Sequence, residues 1–230
     1  QGFSKRWGLQ QIENLEHVMS AKNMDDLKPV IDGRKCVIVS PGPSLKKNIA
    51  LLANSEHEHI VIAVAQACPA LKTHGIYPDF VVVIDPIDYS HVLEGIDCSK
   101  IPGLIISDIC HSAFYEKPFQ NIFTFYPYKP ALNTGAITGA KQTAIFGGSV
   151  TVTATYLAAH LGASEISLIG SDLAFEKEFY YGYEPHDSDV NSPTYTNSIK
   201  VPGYFGSEVR TSTVYLIFKR ELEEIAAAWE

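Results

Sequence analysis

The 230-residue chain has no uninterrupted apolar run near the roughly 18 to 20 residues of a membrane-spanning helix. No span is expected. Basic charge is in deficit, with 18 Lys and Arg against 26 Asp and Glu and a formal net charge of -8. That balance argues against a nucleic-acid binder, which carries a basic field. Cysteine is scarce, and Cys36, Cys68, Cys98 and Cys110 show no CxxC spacing, so they read as reduced, mostly buried thiols of a cytoplasmic protein. No HxxxH, HExxH or paired Cys/His pattern points to zinc. Neither GxGxxG nor GxxxxGK[ST] occurs, which removes the dinucleotide fingerprint and the P-loop. The first residues, "QGFSKRWGLQQ", have no apolar core of a signal peptide. Their lack of an initiator Met, and the helical pattern on which "ELEEIAAAWE" stops, read as a piece of a longer chain. Repeats, low-complexity tracts and heptads are also missing.

What is present is an alternation of short apolar runs with helical periodicity. "CVIVS" (36–40), "HIVIAVA" (59–65), "DFVVVID" (79–85), "GLIISD" (103–108), "NIFTFYP" (121–127) and "EISLIGSDL" (165–173) read as strands. Runs that are apolar throughout belong to strands covered on both faces. "LKKNIALL" puts Leu45, Ile49 and Leu52 at i, i+4 and i+7, and "CPALKTHG" reads as a short helix closed by Gly75. "GGSVTVTATYLAAHLGA" (147–163) fits either period, but its helical set runs for three turns to Gly162, and a helix is expected. Residues 7–28 read as helical, with Ile12, Leu15, His17, Val18 and Met24 loosely on one face, and residues 211–229 as a closing helix. The expected organisation is a helical lead-in over 1–34 and one Rossmann-like domain over 35–230. Its fold class is α/β, a three-layer sandwich around a mostly parallel sheet. From 174 to 212 the pattern dissolves into a stretch dense in Tyr, Gly, Pro, Asn and Ser, and segments of that length are usually functional or partly disordered.

Parallel sheets take ligands outside the carboxyl ends of their strands. Four such ends carry unusual residues: Gly42-Pro43-Ser44, Gln66, Asp85 with Pro86, and Gly170-Ser171-Asp172. Gly lets backbone approach a ligand, Pro suits a helix start, and Ser44 either caps that helix or donates to a phosphate at its positive end. Without a ligand the same residues make a plain strand-to-helix turn. For Asp85 and Asp172 a structural hydrogen bond stands beside contact with a ribose, a sugar or a metal. Gly147-Gly148-Ser149 opens a helix as a cap or as a second anion cradle. His186 is flanked by Glu184, Asp187 and Asp189, which suits a general base near neutrality, although a solvated loop histidine has the same surroundings. His111 and His160 read as structural or solvated. The aromatics of the 174–212 stretch, Tyr204 and Phe205 among them, are either satellite core or a platform for a sugar ring or an acceptor peptide.

The blocks "VIVSPGPSLKKNIALL", "IAVAQACPALKTHGIYPDFVVVIDP", "GGSVTVTATYLAAHLGASEISLIGSDLAF" and "VPGYFGSEVRTSTVYLIFKRELEEI" occur in that order. Together they resemble the central domain of the bacterial motility accessory factor family over about residues 7 to 228. A more distant similarity runs to the bacterial CMP-sialic-acid sialyltransferases. The resemblance implies a sialyltransferase-like fold and transfer of a nonulosonic acid of the pseudaminic, legionaminic or sialic type. The donor is CMP-activated, the acceptor is a Ser or Thr hydroxyl of flagellin, and the chemistry supports flagellum assembly without a tightly bound cofactor or a metal. By the same resemblance Gly42, Pro43 and Ser44 lie along the CMP phosphate and ribose, with Gln66 near the donor and Gly148 and Ser149 opposite. Asp172 faces the sugar or the base, and a histidine beyond the "GSDLAF" block, here His186, is the general base. Part of the domain is also shared with the archaeal 6-hydroxymethyl-dihydropterin diphosphokinases, for which Asp85, Asp88 and Asp172 are candidate Mg²⁺ ligands. A non-catalytic flagellin-binding module of the same fold is a further alternative.

Overall fold

The structure, a computed structural model, describes residues 2–53, 58–127, 144–145, 147–175 and 197–229. In chain order the elements are α1 (Gly2–Glu13), α2 (Leu15–Ser20), β1 (Lys22–Asn23), α3 (Lys28–Ile31), β2 (Lys35–Val39) and α4 (Leu45–Ala53). These are followed by β3 (Ile60–Val64), α5 (Cys68–Thr73), β4 (Phe80–Val83), β5 (Gly103–Ser107), β6 (Ile122–Pro127) and β7 (Ala144–Ile145). The remainder is α6 (Val150–His160), β8 (Glu165–Ile169), the hairpin β9 (Ile199–Pro202) and β10 (Glu208–Thr211), and α7 (Thr213–Trp229). All six expected strands form, and the ambiguous stretch at 147–163 is helical. Ser149 caps it by accepting from the Val152 N–H at 3.2 Å, and Gly162 ends it at φ +88°.

Strands β1 to β8 make one parallel sheet in the order β1-β6-β5-β4-β3-β2-β8, with β7 added to β6, and β9 and β10 pair antiparallel apart from it. Side chains alternate between two apolar layers. Val37, Val39, Val81, Val83, Leu104 and Ile106 pack with Leu45, Ile49 and Leu52 of α4 and Leu71 of α5. Cys36, Ile38, Ile62, Val82 and Ile105 face the other way, onto Leu157 and Leu161 at α6 and onto Met24, Leu27 and Ile31. Both faces of the central strands are thereby covered, the reason those runs read as apolar throughout. Each fully buried Val, Ile or Leu contributes about 1.5–3 kcal/mol. All four cysteines are free and buried. Among the described residues no helix is long and apolar enough to cross a membrane.

The amino-terminal residues depart from expectation. Ile12 is 55% exposed, whereas Gln10, Gln11 and Asn14 are buried together with Val18. The helical run is broken at Asn14 and gives way to β1, which pairs with β6. The reason is what lies underneath. The loops after β4 and β5 offer backbone carbonyls that need donors, and buried carbonyls are rarely left unpaired. Gln10 Nε2 donates to Pro86 O at 2.6 Å, and Asn14 Nδ2 to Asp108 O at 2.9 Å and Cys110 O at 2.7 Å. Gln11 Nε2 donates to the buried Asp108 carboxylate at 2.7 Å. An apolar face would strand those acceptors. Asn14→Ala is expected to lower stability by about 2–3 kcal/mol through two orphaned carbonyls and a small cavity. A urea midpoint within error of wild type would show that water replaces the amide.

Candidate functional site

Strands β2 to β6 run outward in sequence order on one side of β2, and β8 lies on its other side. The order reverses there. The crevice outside the carboxyl ends of β2 and β8 is accordingly the topological switch point, the usual ligand position in such sheets. Three of the segments singled out from sequence meet at it: Gly42-Pro43-Ser44 after β2, Gly170-Ser171-Asp172 after β8, and the start of α6 after Ser149.

The parallel ladder continues past the last strand residues. Ser40 N donates to Ile169 O at 2.9 Å and Gly42 N to Gly170 O at 2.8 Å, holding the two turns against each other. Glycine is required at both places. A Cβ on Gly42 would lie 2.3 Å from both Asp172 Oδ2 and Gly170 O, and one on Gly170, whose φ is +69°, would lie 2.0 Å from Ser40 O. Across this contact Asp172 Oδ2 accepts from Ser44 N at 3.0 Å and from Ser44 Oγ at 2.9 Å. The carboxylate thus sits at the positive start of α4, where a phosphate was expected. Beside it three hydroxyls form a chain, Ser171 Oγ donating to Ser40 Oγ at 3.0 Å and Ser40 Oγ lying 2.8 Å from Thr151 Oγ1. Ser40 and Thr151 were not picked out from sequence. The available signal was a hydroxyl at the last strand position and another in the first turn after Gly-Gly-Ser.

Leu173, next to Asp172, has φ +50°, the one left-handed non-glycine among the described residues. Its carbonyl accepts from Thr211 Oγ1 at 2.6 Å, and Phe175 N donates to Arg210 O at 2.8 Å, so β10 buttresses the wall of the crevice. The enclosed space is about 50 Å³, against about 300 Å³ for pockets that bury whole small ligands. A nucleotide-sized ligand would extend from it along the strand ends.

The remaining site residues are spread along those ends. Gln66 follows β3, half-buried in a short turn, and Asp85 follows β4. Burial raises the Asp85 carboxyl above its ordinary value of 3.8. Asp88 is pulled below that value, chiefly by the Ser90 backbone N–H it accepts from. Asp85, Asp88 and Asp172 do not form a common ligand set: among the described residues no three His, Cys, Asp or Glu groups gather as a metal site. At the second helix start the Gly148 N–H donates to Glu221 Oε2 of α7 at 3.1 Å, while Gly147 lies where a Cβ would meet Thr153 Oγ1 at 2.4 Å. Glu221, also missed from sequence, fills the anion cradle. A larger groove of about 480 Å³ runs between α6 and α7, past Tyr156, His160 and Trp229. His186 lies outside the described residues.

A parallel α/β sheet with glycine-tightened turns and hydroxyls at its switch point belongs with the Rossmann-like domains that take ligands at strand ends. Within that class, residues 9–178 match the family described as 6-hydroxymethylpterin diphosphokinase MptE-like, and the chain belongs to this family. A curated relative, the 6-hydroxymethyl-7,8-dihydropterin pyrophosphokinase of Methanocaldococcus jannaschii, is 29% identical over 112 residues. The match covers 46% of this chain and 45% of that protein, so the chain spans less than half of the relative's length. Among solved structures, the MAf glycosyltransferase from Magnetospirillum magneticum AMB-1 matches with a TM-score of 0.68 at 23% identity, covering 94% of this chain and 35% of its own. The fold is shared across that whole span.

Two outcomes test this geometry. Gly42→Ala is expected to destabilise the domain by about 1–3 kcal/mol, because its methyl overlaps a backbone oxygen that has nowhere to move; an unchanged melting temperature would mean that the two turns are not locked. For Asp85, the raised proton affinity makes folding bind protons. Stability is therefore undiminished below the ordinary value of 3.8 and falls as pH rises above it towards the raised folded value. Asp85→Asn should melt higher than wild type at pH 7 and lose that advantage near pH 3.5. An offset that does not change with pH would remove desolvation as the cause.

Proposed function

We propose that this chain is the donor-binding domain of a glycosyltransferase that moves a CMP-activated nonulosonic acid to a Ser or Thr hydroxyl of flagellin. The observation that carries the reading is the extent of the structural match. The MAf glycosyltransferase fold accounts for 94% of the chain and so extends beyond residue 178, where the family match ends. The pyrophosphokinase relative accounts for 46%. Both the donor and the acceptor are carried over from the sequence resemblance.

In this reading the acceptor oxygen bonds to the anomeric carbon, the bond from that carbon to the phosphate oxygen breaks, and CMP leaves with the electron pair. The proton of the hydroxyl passes to a base, the role assigned to His186. CMP lies at the β2–β8 crevice against Gly42, Pro43, Ser44, Gly170 and Ser171. Its sugar extends past Gln66 towards Asp85, two strand spacings or about 10 Å from β2. Ser44 now donates to Asp172, so the phosphate must replace one carboxylate oxygen at the start of α4. Asp172, once released, turns to the sugar or base. Gly147, Gly148 and Ser149 approach the nucleotide through the start of α6.

A second reading is favoured by the family's own description: diphosphate transfer from ATP to a hydroxymethylpterin, with Mg²⁺. The acids named for it are not clustered among the described residues.

The test is transfer itself. The full chain, a CMP-nonulosonic acid and flagellin from the same organism should give a mass increase of one sugar per modified site. His186→Ala should abolish the increase while leaving CMP affinity within twofold, and Ser44→Ala should weaken CMP binding by about 1 kcal/mol. Diphosphate transfer to the pterin, with flagellin unmodified, would replace this reading by the second.

A further inference from the structure

The β9–β10 hairpin ends in an aromatic pair that packs on no core. Tyr204 is 96% exposed and Phe205 92%, the two highest values among the large hydrophobic side chains of the described residues. Adjacent aromatics left in water are a signature of a recognition surface, since burying them on the protein's own core would stabilise the fold. The tip is also built to hold them. Gly203 N donates to Ser207 O at 2.7 Å and Gly206 N to Gly203 O at 3.0 Å, and Gly206 takes φ +84°. The rings stand perpendicular with centroids 5.1 Å apart. Perpendicular rings form a notch that admits a side chain; a sugar ring stacks on a flat face. Below the tip, Lys200 and Glu208 neutralise each other at 3.0 Å and Arg210 donates to Ser198 at 2.9 Å.

The root of the arm identifies what can reach it. β10 is tied to the crevice through Thr211 Oγ1 on Leu173 O and through Phe175 N on Arg210 O. Leu173 itself lines the crevice. Six residue steps separate Thr211 at the root from Phe205 at the tip, about 20 Å at most. A polypeptide whose hydroxyl enters the crevice covers that distance with about six extended residues.

Resting on the transferase reading above, we infer that the β9–β10 arm docks the acceptor polypeptide. Tyr204 and Phe205 receive an aliphatic or aromatic side chain within about six residues of the modified hydroxyl. The arm selects the acceptor, and the strand-end residues hold the donor. Because the same root holds Leu173 beside Asp172, acceptor contact and donor crevice share one support.

The experiment uses the full chain with two probes, flagellin from the same organism and CMP, titrated separately by calorimetry. The Tyr204→Ser/Phe205→Ser double variant should bind flagellin at least tenfold more weakly and CMP within twofold of wild type, with an unchanged melting temperature. Exchange of the rings, Tyr204→Phe/Phe205→Tyr, should retain flagellin binding. Unchanged flagellin affinity in the double variant would overturn the docking role, as would equal loss of both ligands or a wild-type chain that ignores flagellin. A wild-type chain that binds flagellin but not CMP would instead refute the donor assignment, and the arm would still be judged by the flagellin titration.

Discussion

The site depends on the parallel pairing of β8 beside β2. That pairing sets Ser40 N on Ile169 O and carries the ladder one step beyond both strands, to Gly42 N on Gly170 O. Only at that separation does Asp172 reach Ser44, and only glycine on both sides allows the separation. The crevice is therefore a consequence of sheet order, and its polar groups are arranged by the same contact that closes the sheet edge.

The protein places its own carboxylates at both helix starts that look like anion sites. Asp172 occupies the start of α4, and Glu221 that of α6. The unpaired amides of a helix start carry roughly half a positive charge, so a carboxylate there is stabilising on its own account. An anionic ligand at either start exchanges with a carboxylate and does not enter an empty cradle. At the α6 end the exchange would loosen α7, because Glu221 is what ties that helix to Gly148. At the α4 end it would free Asp172, an exposed side chain beside the strained Leu173, for contact with the ligand. The two starts thus have different consequences although their chemistry looks alike in sequence.

Most of the fold was legible in the sequence, because strands buried on both faces announce themselves as continuous apolar runs and α6 announced itself by three turns of spacing ended at Gly162. The site was legible as a set of strand ends, since Gly42-Pro43-Ser44 and Gly170-Ser171-Asp172 are unusual wherever they lie. Which ends meet was not legible: adjacency of β2 and β8 is a property of strand order, and nothing local encodes it. Nor was the occupancy of the helix starts, which needs the contact between residues 44 and 172 or between 148 and 221. The polar underside of α1 escaped notice for a related reason. Gln10, Gln11 and Asn14 look like a solvated face until the carbonyls of Pro86, Asp108 and Cys110 are placed beneath them. The short pairings of β1 and β9–β10 were missed because two to four residues carry too little periodicity to read.

The central proposal is that the switch-point crevice receives a nucleoside monophosphate as the leaving group of a sugar donor. Calorimetric titration of CMP into the chain in EDTA, beside ATP with Mg²⁺, tests it most directly. The account predicts saturable binding of CMP without metal and weakening by Ser44→Ala. Binding of ATP that requires Mg²⁺, with CMP silent, would contradict it and favour diphosphate transfer.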